Sequence, residues 1–451
     1  MSNDKTTGLL AIERAHLQEP FTAPSHPLEA VVVALLLTSV VAATYGFGTY
    51  LFAQLVTDMR ADLGFGYTVA GTITAAGQFG FLAFAIGGAW LAPRVGGGQV
   101  VIGSVVLCGA ALGVLPMTNN ILLVGMLLTV LSGTAASAWV PMVEIVARTI
   151  RYRHRGKVLG LASSGTSYGV FLNSLLVPIF VPDGGWRGVW YTVGTGTLFV
   201  AAIALVVFAR LGLFRRQPDE SRATGPEIGP DAVPDTGILA RVRALAAPWV
   251  LLVWAITFFN GFSTLPFQNY LAPYLREELA LSVDFAALVW GTIGFVGMFA
   301  GFVLGSLSDR TGVRLALLIS YGFVFLSAAI LVFAPVGHLP VAAGVLFALA
   351  FYPIFGLVPA YIAKMAGGRR ATAIFGIANV TLGLGGVIGN YLGGIVKDAT
   401  GTFIWVYVAV AVTGVLLGLL ALSLPRESDT AGPIGTNRQA GEDSVLPTQC
   451  A

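Results

Sequence analysis

The stretch GSLSDRTGVRLAL, residues 305–317, holds one acid, Asp309, two bases, Arg310 and Arg314, and two glycines, Gly305 and Gly312. Apolar runs flank it, 283–304 and 315–336, each long enough to cross a bilayer as a helix. Charge confined to a short connection between two such runs is the pattern of a membrane turn. The whole chain agrees: of its 451 residues 56% are hydrophobic and 10% charged, with mean hydropathy +0.82. That is too little charge to cover a soluble particle of this size.

Runs of roughly 20 apolar residues, enough to cross about 30 Å of hydrocarbon, occur twelve times. They cover 29–56, 68–92, 98–117, 120–146, 157–181 and 188–209, then 247–271, 283–307, 313–336, 339–365, 372–396 and 402–424. Backbone facing lipid must satisfy its own hydrogen bonds, and the lengths exclude barrel strands, so an all-α membrane protein of twelve transmembrane helices is expected. With both termini cytoplasmic, 21 of the 25 Lys and Arg residues fall on the cytoplasmic side. Only Arg60, Arg187, Arg276 and Lys397 fall outside, which obeys the positive-inside rule; a multi-pass protein of the cytoplasmic (inner) membrane is expected. The net charge of +3 is then a topology signal and gives no reason to expect nucleic acid. Residues 1–27 contain Asp4, Glu13 and Glu19 and no short apolar core with a small-residue cleavage site, so no signal peptide is expected. Cys108 lies in a span and Cys450 in the tail, and no disulfide is expected.

From 210 to 246 the apolar pattern stops and prolines alternate with charges, a solvated linker with a candidate surface helix at 239–245. The expected domains are a cytoplasmic segment 1–28, a six-helix half 29–209, the linker 210–246, a second six-helix half 247–424 and a cytoplasmic tail 425–451. Sliding one half over the other by 216 residues puts Arg94 on Arg310, Gly96 on Gly312, Gly160 on Gly376, Gly169 on Gly385 and Arg148 on Lys364. One offset serving several loops indicates parallel pseudo-repeats.

The loop 305–314 matches G-x-L-x-D-R-x-G-x-R, and RGKVLGLASSGTSYG (155–169), GWRGVW (185–190), RRATAIFG (369–376) and GNYLGGIVKDATG (389–401) accompany it. On these motifs the chain, over about 29–424, resembles the major facilitator superfamily. That resemblance implies a solute transporter working by alternating access, with spans 1, 4, 7 and 10 around a central cavity. It also implies that Gly305, Asp309, Arg310, Gly312 and Arg314 form a cytoplasmic latch whose partner is the start of span 5, near Arg155 and Lys157. The other reading of the loop is a turn with solvated charges. The first copy, AWLAPRVGGG (89–98), has Pro93 in place of the acid and Gly98 in place of the second base, so the second copy is expected to act alone.

Polar or aromatic side chains near the middle of spans 1, 4, 7 and 10, or of spans 2, 5, 8 and 11 that the resemblance puts beside them, are Tyr45, Tyr50, Gln78, Trp139, Tyr168, Asn173, Asn260, Gln268, Tyr352 and Asn379. Each is costly in lipid unless it lines water or meets a partner, so all ten are candidate substrate contacts. The alternative for each is an interhelical hydrogen bond or a packed ring. Tyr45, Asn260 and Tyr352 lead, being nearest the midpoints of their spans. No acid, base or histidine lies mid-span. Glu144 lies nearest, and an i, i+4 pair with Arg148 is expected rather than a proton site. The G-x-S-x-G match at 165–169 lies inside a span with no histidine partner, so no enzyme activity is expected. The Asn379 sequon is likewise intramembrane.

The segment 45–66, YGFGTYLFAQLVTDMRADLGFG, resembles the first span of the monocarboxylate and oxalate/formate branch. Uptake of a small organic acid is therefore the leading expectation, as a symporter or a facilitator. Efflux of an apolar or weakly polar compound is the alternative, because no buried base awaits a carboxylate. A non-transporting receptor or scaffold is the competing class. Expected partners are a small-molecule substrate and the bilayer, with a coupling proton or ion left open. A monomer with no metal or cofactor is expected.

Overall fold

The computed structural model describes residues 27–182, 185–214, 245–366 and 368–426. Most of the terminal segments, the linker and residues 239–244 of the candidate surface helix lie outside these. The described residues form helices joined by turns, with no strand. The spanning helices are α1 (Glu29–Leu63), α2 (Tyr67–Val95), α3 (Gly97–Met117), α4 (Ile121–Thr149), α5 (Tyr152–Phe180) and α6 (Trp186–Arg210). The second half supplies α7 (Pro248–Asn269), α8 (Val283–Thr311), α9 (Val313–Phe333), α10 (Leu339–Ala366), α11 (Gly368–Thr400) and α12 (Ile404–Ser423). Eleven have the length and apolarity of a membrane span; the twelfth, α5, opens with the charged run that includes Arg155 and Lys157.

The loops after odd-numbered helices share one face, here called the far face. The loops after even-numbered helices and both chain ends share the near face. The 216-residue offset is visible in the backbone. It carries α2 onto α8, both 29 residues long. Both helices end on a glycine with positive φ, Gly96 at +108° and Gly312 at +89°, where a side chain would be strained. The caps also coincide: Gly96 N–H donates to Ala92 O at 2.8 Å and Gly312 N–H to Ser308 O at 2.9 Å.

Two helices run past their apolar stretch. α1 continues from 56 to Leu63 and carries Asp58, Arg60 and Asp62 beyond the apolar core. α7 is prolonged by Leu271–Pro273 and a π-helical turn, Tyr274–Glu278. Hydropathy locates where a helix leaves hydrocarbon; the backbone hydrogen bonds that define it continue beyond. Within α1 the segment Ala42–Phe47 is also π-helical. Beside it Gly46 and Gly169 touch so closely that a Cβ on either would overlap the other's Cα, the small-residue contact that lets α1 and α5 pack backbone to backbone.

Candidate functional site

The hydrophobic core is divided in a way that defines the site. One cluster joins the far-face portion of the first half (Leu51, Met59, Tyr67, Val177, Trp190) to the second half. The other, including Leu37, Val105, Ile145 and Phe208, belongs to the near-face portion of the first half alone. Glycines record the same division. Cβ atoms on Gly71 and Gly394 would overlap the facing helix of the α2–α11 pair, and one on Gly294 would lie 2.6 Å from Phe171 N across the α8–α5 pair. Toward the near face, Gly87, Gly160, Gly301 and Gly376 meet nothing. The halves are joined at the far face and apart at the near face.

The far-face junction is ionic. Arg276 at the end of α7 pairs with Asp58 on α1 through two hydrogen bonds of 2.5 and 2.8 Å, a bidentate charge-assisted geometry. Arg60 pairs with Glu277 at 3.0 Å and lies 4.6 Å above the Tyr67 ring, while the Tyr67 hydroxyl donates to Glu277. Asp398 at the end of α11 accepts from Tyr67 N at 3.1 Å, Thr68 N at 2.7 Å and Thr68 Oγ1 at 2.7 Å. It caps the N-terminus of α2 from the other half, a site where backbone N–H groups favour an anion. Apart from the stacking of Arg60 on Tyr67, each of these contacts crosses between halves. In the sequence these bases stand out only as far-side charges. The signal was present in TDMRAD (57–62) and YLREE (274–278), where the 216 offset puts Arg60 on Arg276 and Asp62 on Glu278.

Toward the centre, two groups of rings meet. Tyr45 stands edge-on to Phe81 at 6.1 Å and to Trp139 at 6.5 Å, all half-buried and contributed by α1, α2 and α4. Tyr50 stands edge-on to Phe351 at 6.3 Å, which packs on Tyr352 at 5.2 Å, joining α1 to α10. The Tyr352 ring occupies the space over Gly297, beside Ser167 Oγ, where α5, α8 and α10 converge. Gln78 lies at the α2–α11 seam, 3.7 Å from where a Cβ on Gly386 would stand.

The other candidates are placed differently. Asn173 is buried and donates to Gly46 O at 2.8 Å, tying α5 to the π-helical turn. Gln268 is buried and donates to Thr264 O within α7 at 3.4 Å. Asn260 is 1% exposed, inside the second half, and neither end of its amide finds a partner. Tyr168, 37% exposed, shares a face of α5 with exposed Leu161, Leu172, Leu175 and Ile179, the face that meets lipid rather than the centre. Asn379 donates back to Phe375 O at 3.0 Å. Tyr45, Tyr50, Trp139 and Tyr352 are brought together; Tyr168, Asn260 and Gln268 are not, because midpoint position along a helix does not specify azimuth around it.

At the near face Asp309 and Arg310 are exposed, and Asp309 makes no ion pair among the described residues. Arg314 donates to Leu422 O at the end of α12. Arg155 donates to Ala147 O at 2.7 Å and Ile150 O at 3.1 Å in its own half, and Lys157 is exposed. Gly305 meets open space. In the first copy Arg94 folds back on Trp90, 3.7 Å from its ring. Glu144 and Arg148 form the expected i, i+4 pair at 3.6 Å.

A protein from Cupriavidus necator described as a probable sulfoacetate transporter is 24% identical over 81% of this chain and 86% of its own. The cis,cis-muconate transport protein of Acinetobacter baylyi is 23% identical over 62% of this chain and 67% of its own. Among solved structures, a bacterial homolog of the human lysosomal transporter Spinster, inward-facing and unoccupied, superposes with TM-score 0.67 at 15% identity, covering 89% of this chain and 98% of that one. The family model for the Major Facilitator Superfamily matches residues 38–389. Two six-helix repeats, closed against each other at one face and open at the other, give that match its structural form: the chain is a transporter of the Major Facilitator Superfamily.

Proposed function

We propose that this transporter takes up a small organic carboxylic acid across the cytoplasmic membrane. Both termini are cytoplasmic, and the state described above is open to the cytoplasm. The distribution of Lys and Arg supports the orientation. The transporters of sulfoacetate and cis,cis-muconate among its relatives support the substrate class.

One observation carries the reading: the centre, where α1 meets α10, brings together tyrosine and phenylalanine rings and, among the described residues, no charged side chain against them. Ring faces suit the apolar body of a small acid, and the hydroxyls of Tyr45, Tyr50 and Tyr352 suit its carboxyl group. An ionised carboxylate at this depth without a cation would be costly. The acid is therefore carried in its protonated form, which supplies its own proton and needs no titratable group mid-span. When the halves rock, the far-face ion pairs separate and the near face closes, bringing Asp309 to the start of α5 near Arg155 and Lys157.

The test is accumulation of radiolabelled monocarboxylic, unsaturated dicarboxylic and sulfonated acids in vesicles containing the protein, with and without an inward pH gradient. Uptake of one class that the gradient accelerates and Tyr352→Phe weakens several-fold is expected. Export of apolar dyes with no uptake of any acid would overturn the substrate class.

A further inference from the structure

Beside Arg276 lies a small cavity of about 10 Å³, whose lining includes Gln54 of α1, Val177 of α5, Ala272 and Arg276 of the prolonged α7, and Ala286 and Trp290 of α8. It sits on the plane where the halves meet. Two of the residues in its wall carry a polar atom with no partner: Gln54, 3% exposed, through Oε1, and Trp290, 1% exposed, through Nε1. Buried polar atoms in native proteins are nearly always paired. An unpaired amide oxygen and an unpaired indole N–H around one cavity, from opposite halves, constitute a site.

The donor set identifies the occupant. Gln54 Nε2 donates to Val170 O at 3.4 Å, which leaves Oε1 as the unpaired end of the amide, in need of a donor. Trp290 Nε1 can only donate and so requires an acceptor, and the Arg276 guanidinium offers donors alone. A metal cation is repelled by the arginine and by the indole N–H. A halide cannot donate to Gln54. Only a molecule that donates and accepts at once serves both halves, and the volume is close to the smallest that holds a single water. We propose that one water is bound here as a structural element of the far-face gate, hydrogen-bonded between Gln54 of the first half and Trp290 of the second. Gln54 lies one turn before Asp58 on α1, and Ala272 lies one turn before Arg276. The gate is thus two layers deep, a bidentate ion pair outside and a water-bridged pair inside. The inner layer satisfies both buried polar groups while the far face is closed and dissolves into bulk water when it opens.

Microsecond X-ray footprinting of the full chain in lipid vesicles reads this directly, because hydroxyl radicals generated from a bound water label the side chain beside it. Three tryptophans supply the comparison: Trp90, 59% exposed, labels from bulk solvent. Trp190 is 0% exposed and its Nε1 is also unpaired, but it does not line this cavity. Trp290 is expected to label at least tenfold faster than Trp190 despite equal burial, and to exchange label from ¹⁸O-water more slowly than Trp90. In Gln54→Leu, which removes the acceptor, labelling of Trp290 is expected to fall several-fold while that of Trp90 is unchanged. Labelling of Trp290 at the rate of Trp190 in the unmodified protein overturns the proposal, whatever the fate of the variant. Labelling insensitive to Gln54→Leu overturns the assignment of the bridge.

Discussion

Replacing Arg276 by Gln tests whether the far face is held by charge. The side chains of Arg276 and Asp58 are 15% and 16% exposed, and their pairing is bidentate. Removing one partner of a fully buried pair costs about 3–5 kcal/mol, largely because the remaining charge is stranded. Discounting for partial exposure leaves about 2 kcal/mol. Most of this falls on the state in which Asp58 is enclosed, since in the opened state water solvates it. At 1.4 kcal/mol per tenfold, the ratio of near-open to far-open molecules should fall about 30-fold. Spin labels at Met117→Cys and Val336→Cys, exposed on far-face loops of opposite halves, would report this as a longer distance population in double electron–electron resonance. The background would be Cys108→Ala, Cys450→Ser. Asp58→Asn combined with Arg276→Gln should recover part of the shift, because no charge is then stranded. If Arg276→Gln leaves the distance distribution as in the parent, the ion pair is incidental and the gate is held by the apolar core beneath it.

Ala280 has φ +51° in the turn after α7, at the position that the repeat pairs with Gly64, φ +70°. A left-handed alanine costs about 1–2 kcal/mol and glycine returns roughly half of that through chain entropy, so Ala280→Gly should raise the thermal midpoint in detergent by a few degrees. A lower midpoint would mean that the turn is not strained. Asp309→Asn should reduce transport severalfold with normal membrane insertion, because it removes the acid proposed to close the near face; unchanged uptake by the variant would dismiss the latch.

The twelve helices and their pairing into halves were legible because both depend on features periodic along the chain: apolar length, the sidedness of Lys and Arg, and glycines repeating at 216. Hydropathy missed the last turns of α1 and α7 because charged residues end an apolar run without ending a helix. Those turns contain the gate, so the residues that hold the halves together fell in what looked like loops. The centre was half legible. Of the ten candidates, Tyr45, Tyr50, Trp139 and Tyr352 lie among the central rings, while Tyr168 turns to the outer face and Asn260 is buried on α7, because azimuth depends on which neighbour packs where. Asp398 left no pattern at all: capping α2 from the far end of α11 is a contact across 330 residues.

The repeat also explains why the two faces carry different charged residues. Arg60 and Arg276 occupy equivalent positions, and each reaches an acid of the other half. The equivalent acids Asp62 and Glu278 each hold a helix start within their own half. Asp62 accepts from Trp186 Nε1 and Arg187 at the start of α6, and Glu278 accepts from Thr402 Oγ1 and Phe403 N just before α12. Duplication thus left a reciprocal, two-armed lock at the far face. At the near face it left one intact loop, and packing prevents recovery of the other. A Cβ on Gly98, the position equivalent to Arg314, would lie 2.7 Å from Leu213 O, a backbone atom that cannot swing away. Gly98→Arg should therefore fail as a restoration. Forcing a side chain against Leu213 costs about 1–3 kcal/mol by overpacking, and the variant should lose thermal stability without gaining near-face closure. Pro93→Asp, which restores the acid alone, adds no such overlap and is the fair test of whether a second carboxylate can help close this face. Should Gly98→Arg prove as stable as the parent and shift the spin-label distances toward the far-open state, the α3–Leu213 contact is not what keeps the first copy silent.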